Sequence, residues 1–168
     1  MILRALLLVA LGAVLAAAEP AAPRGPRVLF VCTGNFYRSR FAEAVFNEHP
    51  PPGWTAFSRG LDTSTPRTTP VSPLVSAELR RRRIDVARAG AAPQPLTQRD
   101  LDEADLVVLM NGPEHAPALR RQFPGFSFDK VRTWAVPDVP KLAAAEAFKA
   151  MWRMTAALVA ELAAPKRP

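Results

Sequence analysis

The residues best equipped for chemistry lie in one short stretch, Cys32-Thr33-Gly34-Asn35-Phe36-Tyr37-Arg38-Ser39, where a thiol and a guanidinium are separated by five residues. An apolar run, Arg27 to Cys32, precedes it, and a segment with helical apolar spacing (Phe41, Ala44, Val45) follows, so the stretch is a strand-to-helix turn. Such a turn can cradle an anion. Gly34 and Asn35 both tolerate left-handed backbone angles, which lets successive N–H groups point into one concavity. The positive end of the following helix is aimed at the same place. Arg38 can donate two parallel hydrogen bonds to a phosphate-like oxyanion. The same field favours the thiolate of Cys32, the form that acts as a nucleophile. A Cys and an Arg at this spacing arise by chance in roughly one arginine-rich chain in ten, so the spacing alone is a weak signal; the position between a buried strand and a helix makes it much stronger.

The elements needed to hold that turn in place can be read along the rest of the chain. Arg27–Cys32 and Asp105–Met110 (DLVVLM) are short, continuous apolar runs of the kind that form strands buried on both faces. Residues 54–61 and 130–134 read as two further strands. Helices are expected at residues 39–47, 72–83, from Thr97 (with Asp100 three residues on, close to a capping box), at 114–122 and at 142–163. The Pro-rich stretch 49–53 ends the first of these helices. Strands alternating with helices imply crossover connections and a parallel sheet covered on both faces, an α/β architecture. Ligands of such sheets bind beyond the carboxyl ends of the strands, where the loop after Cys32 lies.

The chain has 168 residues, enough for one domain, and its 49% hydrophobic content supports a proper core. The single cysteine excludes a disulfide scaffold, and with only His49 and His115 beside it there are too few soft ligands for an all-protein zinc site. No metal and no cofactor are expected. The formal charge of +7 suits anionic partners. The run Arg80–Arg83 lacks the interleaved aromatics of a nucleic-acid surface and reads as a solvated helix face, so no nucleic acid is expected. Asp100, Asp102, Glu103 and Asp105 read as capping residues, and His115, between two prolines, reads as a loop residue. Phe148, Trp152 and Leu158 read as core of the last helix.

Residues 1–18 have the features of a signal peptide: Arg4, the apolar run 5–15, and Ala16-Ala17-Ala18 as a cleavage site before Glu19. The run is short for a membrane span, which needs about 20 apolar residues. The expected organisation is a signal peptide at 1–18, a flexible leader at 19–26 and a domain at 27–164, exported to the periplasm or the medium, with membrane attachment only if the first segment stays uncleaved.

The segment VLFVCTGNFYRSRFAEAVF resembles the signature of the low-molecular-weight protein tyrosine phosphatases, whose loop is Cys-x5-Arg-Ser/Thr. The resemblance extends over roughly residues 27–163, through Ser58, DLVVLM and VRTWAVPD. It implies a three-layer, flavodoxin-like fold (phosphotyrosine phosphatase I) with a four-stranded parallel sheet. It further implies that Cys32 attacks phosphorus, Arg38 binds the phosphoryl oxygens and Ser39 stabilises the thiolate. Asn35 props the loop open with Ser58 in support, and Thr33, Gly34, Phe36 and Tyr37 complete the phosphate-binding loop. Asp138 is the implied general acid. Five positions depart from the family pattern: Tyr37 replaces a second loop cysteine, Arg40 a proline, Asn111 an aspartate, and Val139-Pro140 a proline and an aromatic. The loop around Ser64 also supplies no aromatic wall. The expected activity is a monomeric phosphomonoesterase working through a cysteinyl-phosphate on a phosphorylated protein or small aryl phosphate. The alternative is a weak or inactive oxyanion-binding protein on the same fold. Thiol-coupled arsenate reduction is not expected, because it needs further cysteines.

Overall fold

The computed structural model describes residues 24–165; the expected signal peptide and most of the expected leader lie outside the described residues. Four strands, β1 (Arg27–Cys32), β2 (Thr55–Gly60), β3 (Leu106–Leu109) and β4 (Val131–Thr133), form one sheet in the order β2-β1-β3-β4. Every pairing in it is parallel. Five helices connect and flank the strands: α1 (Arg38–Glu48), α2 (Pro73–Arg81), α3 (Gln98–Glu103), α4 (Gly112–Gln122) and α5 (Ala144–Ala163). This is the expected α/β architecture.

After Arg27 at the start of β1, the central strands β1 and β3 are apolar because both of their faces are buried. On β1, Val28, Phe30 and Cys32 enter one core with Phe41 and Phe46 of α1 and Phe148, Met151 and Leu158 of α5. Leu29 and Val31 enter the other, with Val107, Leu109, Leu101 and Leu119. Successive side chains point to opposite faces, so the placement of Phe30 also fixes that of Cys32, at the strand's carboxyl end on the α1 side. Trp152 packs against the first core, as the spacing in α5 anticipated.

Several boundaries differ from the sequence expectation for local reasons. Helix α2 ends at Arg81 because Arg83 takes a left-handed φ of 62°. The four-arginine run is therefore not one helix face: Arg81 and Arg82 both pair with Glu78, and Arg82 also lies over the Trp152 ring at 4.2 Å. Helix α4 begins two residues early, at Gly112, since Pro113 suits a first helical turn whose N–H groups lack internal partners. An unanticipated 3-10 turn at Val86–Ala89 is capped by the Asp85 carboxylate, which accepts from the Ala87 N–H at 2.9 Å. The capping box of α3 forms as expected between Thr97 and Asp100. Ordered contacts begin before Arg27: Arg24 donates to the Glu103 carbonyl and the Pro26 carbonyl accepts from Thr55.

Candidate active site

The loop between β1 and α1 rests on the end of β2. A Cβ added at Gly60 would lie 2.8 Å from the Thr33 carbonyl oxygen and 2.9 Å from the Asn35 nitrogen, so only glycine lets the loop sit this close to the sheet. The left-handed residue is Asn35, with φ 47°. Gly34, expected to share that role, is not in the left-handed region.

On the thiol side, the hydrogen bonds form a chain with one consistent direction. The Asn35 side-chain oxygen accepts from the Gln94 N–H at 2.8 Å, which turns its amide nitrogen toward Ser39 Oγ (3.1 Å) and Ser58 Oγ (2.7 Å). Ser58 in turn donates to Glu43 Oε2 at 2.6 Å. Since Ser39 Oγ accepts from Asn35, its own hydrogen is free to point at Cys32 Sγ, 3.1 Å away. A donor so placed stabilises negative charge on sulfur. Glu43 is buried, which pushes its carboxyl above the usual carboxylate range even though the Ser58 hydrogen bond and Arg40 act the other way. Arg40 is buried beside it, with Nη1 3.9 Å from Glu43 Oε2 and Nη2 donating to the Ala91 carbonyl. The side chain at this departure from the family pattern is thus part of the support beneath the loop.

The arginine side is held by Asp138, the implied general acid, and by Glu114 and Val136, for which the sequence suggested no functional role. Arg38 is 1% exposed, and its Nη1 and Nη2 donate to Glu114 Oε2 and Oε1 at 2.9 and 3.1 Å. The remaining Nη hydrogens go to the Val136 carbonyl (3.2 Å) and Asp138 Oδ2 (3.1 Å). Nε is buried and has no partner among the described residues. Glu114 also accepts from Thr33 Oγ1 at 2.5 Å and from Asn111 Nδ2 at 3.2 Å. The hydrogen bond from Arg38, chief among these contacts, holds the Glu114 carboxyl far below the usual range.

His115, expected to be a loop residue, is instead fully buried in the first turns of α4. Its Nδ1 accepts from the Asn111 N–H at 3.0 Å, which leaves the proton on Nε2, 3.3 Å from Thr33 Oγ1. Burial pulls its pKa down to about 4, and the charge of Arg38 adds to the effect. The ring is therefore neutral at pH 7, completing a chain from His115 through Thr33 and Glu114 to Arg38. Only one signal in the sequence pointed here: a Met-Asn-Gly-Pro-Glu turn at the carboxyl end of a buried strand, the edge where such sheets bind ligands.

Cys32, Gly34, Phe36, Tyr37, Arg38 and Asp138 line one cavity of about 230 Å³, together with Arg67, Ser72, Leu74 and Val139. The structure thus brings most of the expected residues to a single cavity. Asn35, Ser39 and Ser58 lie beneath it, while Thr33 reaches sideways to Glu114 and His115. Tyr37 packs edge-on against Phe148 (5.2 Å between centroids), and burial pushes its hydroxyl up to about 12, with Asp138 adding to the shift. Among the described residues no group of three or more His, Cys, Asp or Glu side chains is placed to hold a metal.

A thiol at the end of a parallel strand, an arginine at the start of the following helix and a loop between them define a phosphate-loop enzyme of the cysteine-dependent kind. The chain matches the low molecular weight phosphotyrosine protein phosphatase family over residues 27–163 and belongs to it; it is a cysteine-dependent phosphatase. Among solved structures it is similar to YfkJ from Bacillus subtilis (TM-score 0.74, 23% identity, 85% of this chain and 98% of that one). It is similar also to the low molecular weight protein tyrosine phosphatases of Streptococcus pyogenes (TM-score 0.72, 20% identity, 84% and 95%) and T. tengcongensis (TM-score 0.68, 29% identity, 81% and 99%). No curated protein matches the chain significantly.

Proposed function

We propose that the protein is an exported, monomeric phosphomonoesterase that hydrolyses protein phosphotyrosine or small aryl phosphates through a cysteinyl-phosphate. One observation carries this reading: Cys32, Arg38 and Asp138 line a single cavity, with a hydroxyl poised on the sulfur and the arginine fixed from behind. In the first step the Cys32 thiolate attacks phosphorus as the bond to the leaving oxygen breaks, and Asp138 gives that oxygen its proton. In the second, water attacks phosphorus, Asp138 takes the water's proton, and the sulfur–phosphorus bond breaks to restore the thiolate. Arg38 and the loop amides hold the equatorial oxygens in both steps. An oxyanion gripped by Nε and Nη2 of Arg38 takes the position on Nη2 that Asp138 holds in this structure, which frees the Asp138 carboxyl for the leaving group.

The test is hydrolysis of a panel of aryl, serine and sugar phosphates by the protein and by Cys32→Ser. The proposal expects aryl phosphates to be preferred, and Cys32→Ser to lose turnover while still binding vanadate, because the cradle is backbone and Arg38. Equal hydrolysis by Cys32→Ser ends the covalent reading. Vanadate binding by a wild-type protein that turns over none of the panel favours the oxyanion-binding alternative. Mass spectrometry of the exported protein is expected to find Glu19 at its N-terminus; an intact Met1 in the membrane fraction overturns the signal-peptide reading.

A further inference from the structure

We infer that Arg67 is a second anion subsite at the mouth of the cavity, so that the enzyme selects phosphomonoesters whose leaving group carries another negative group, such as a carboxylate. The inference deepens the phosphatase reading above and rests on it.

Arg67 comes from the Thr-, Ser- and Pro-rich loop after β2, far in sequence from the other charged residues of the cavity, yet it lines the cavity with Cys32 and Arg38. Two contacts fix its guanidinium over the phosphate loop. Its central carbon lies 4.4 Å from the centroid of the Phe36 ring, within cation–π range. Its Nη2 lies so close above Gly34 that a Cβ there would stand only 3.3 Å from it. A side chain at Gly34 would crowd the guanidinium by a few tenths of an ångström, which places Arg67 directly over the phosphate loop.

The charges around the cavity show what Arg67 has left to bind. Arg38 is committed to Glu114 and Asp138. Asp138 is paired with Arg38 in this structure and turns to the leaving oxygen when an oxyanion displaces it, and among the described residues it is the only carboxylate lining the cavity. Arg67 has no ion pair with any described residue, in contrast to arginines such as Arg27, Arg59, Arg88 and Arg132, each of which holds a carboxylate. The remainder of the rim includes Phe36 and the exposed Leu74 and Val139, which suit the apolar body of a leaving group and offer an anion nothing. A guanidinium held on an aromatic face, aimed over the loop and lacking an acidic partner is equipped to receive one from the substrate, where its planar donors match a carboxylate.

The experiment compares kcat/KM within two substrate pairs: phenyl phosphate against 3-carboxyphenyl phosphate, and a phosphotyrosine peptide flanked by Gln against the same peptide flanked by Glu. Each ratio is measured for the wild-type protein, Arg67→Gln and Arg67→Glu. Because both members of a pair are read on the same preparation, partial misfolding cancels from the ratio. The wild-type protein is expected to favour the anionic member about fivefold, the size of a partly exposed ion pair, with the preference shrinking at high salt. Arg67→Gln is expected to bring the ratio to unity and Arg67→Glu to invert it. A preference in the aryl pair alone assigns small carboxylated aryl phosphates, and one in the peptide pair assigns acidic sequences around phosphotyrosine. A wild-type ratio of one in both pairs overturns the subsite, as does a ratio that survives Arg67→Gln. An equal loss on both members in Arg67→Gln means that Arg67 serves the phosphate itself, and the subsite falls. Absence of hydrolysis of phenyl phosphate by the wild-type protein is a different result, which removes the phosphatase reading beneath the proposal.

Discussion

On the floor of the cavity, Asn35, Arg38, Ser39 and Ser58 are each at most 1% exposed, and nearly every polar atom has an assigned partner. At the rim, Leu74 and Val139 are 47% and 37% exposed, Arg67 is exposed as well, and the side chains touch little. The two regions adjoin in sequence in places: Phe36 belongs to the rim and its neighbour Asn35 to the floor. The difference separates two jobs. A buried network with fixed donor directions costs too much to rearrange, so it sets where charge is stabilised during the reaction. An exposed rim can change without disturbing that network, and it decides which leaving groups approach. The departures from the family pattern divide the same way, with Val139 at the rim and Arg40 and Asn111 joining the floor's own hydrogen bonds and ion pairs.

Asp138 belongs to both regions, being exposed on one side and bonded to Arg38 on the other, so its substitution probes both at once. As general acid it matters most for poor leaving groups. Asp138→Asn is expected to lower kcat for phenyl phosphate by about 100- to 10,000-fold, the usual worth of a positioned acid, and to slow nitrophenyl phosphate far less. An equal loss on both substrates would leave Asp138 with a structural role on Arg38 and no part in proton transfer.

Glu114 tests the floor alone. Its carboxylate holds both Nη atoms of Arg38, so Glu114→Gln lets the guanidinium swing and is expected to cost on the order of 100-fold in kcat/KM. Vanadate affinity should fall with it, while the rate at which the uncharged reagent iodoacetamide alkylates Cys32 stays close to that of the wild type. The effect must run through Arg38: in an Arg38→Lys background, Glu114→Gln is expected to cost little more, a strong non-additivity. Full additivity of the two substitutions would show that Glu114 acts elsewhere.

The same division explains what the amino-acid sequence alone made legible. The sheet was legible because β1 and β3 must be apolar on both faces, and the thiol–arginine loop because its parts are contiguous in sequence. Glu114 and His115 were not legible as site residues. A glutamate in the first turn of a helix has an ordinary explanation in the helix dipole, and a histidine between prolines looks like loop. What gives them a role is the strand order, which sets β3 beside β1 and so brings residues about 80 positions apart into hydrogen-bond contact. Arg67 was hidden for a similar reason: nothing in a polar loop marks the one side chain that leans over Gly34 and Phe36.

The smallest expected effect concerns stability, and it asks whether the floor is as fixed as its hydrogen bonds imply. His115 is fully buried and its pKa in the fold is about 4, against about 6.5 for a free histidine. Between those values the unfolded chain takes up a proton that the folded chain refuses, so acidification favours unfolding. The stability His115 confers is complete above pH 6.5 and is lost as the pH falls toward 4, by about 3 kcal/mol in all. Glu114, whose pKa is depressed in the fold, loses its contribution at lower pH, as the medium passes below the normal carboxylate range, so the two windows are separable. Urea unfolding at a series of pH values should therefore show a slope between pH 6.5 and 4.5 that His115→Gln removes, because glutamine keeps a donor and an acceptor but does not titrate. The acid limb at lower pH should remain in both proteins. Parallel curves for the two proteins across the upper window would mean that the ring protonates in place, and that the floor yields to a charge it was read as excluding.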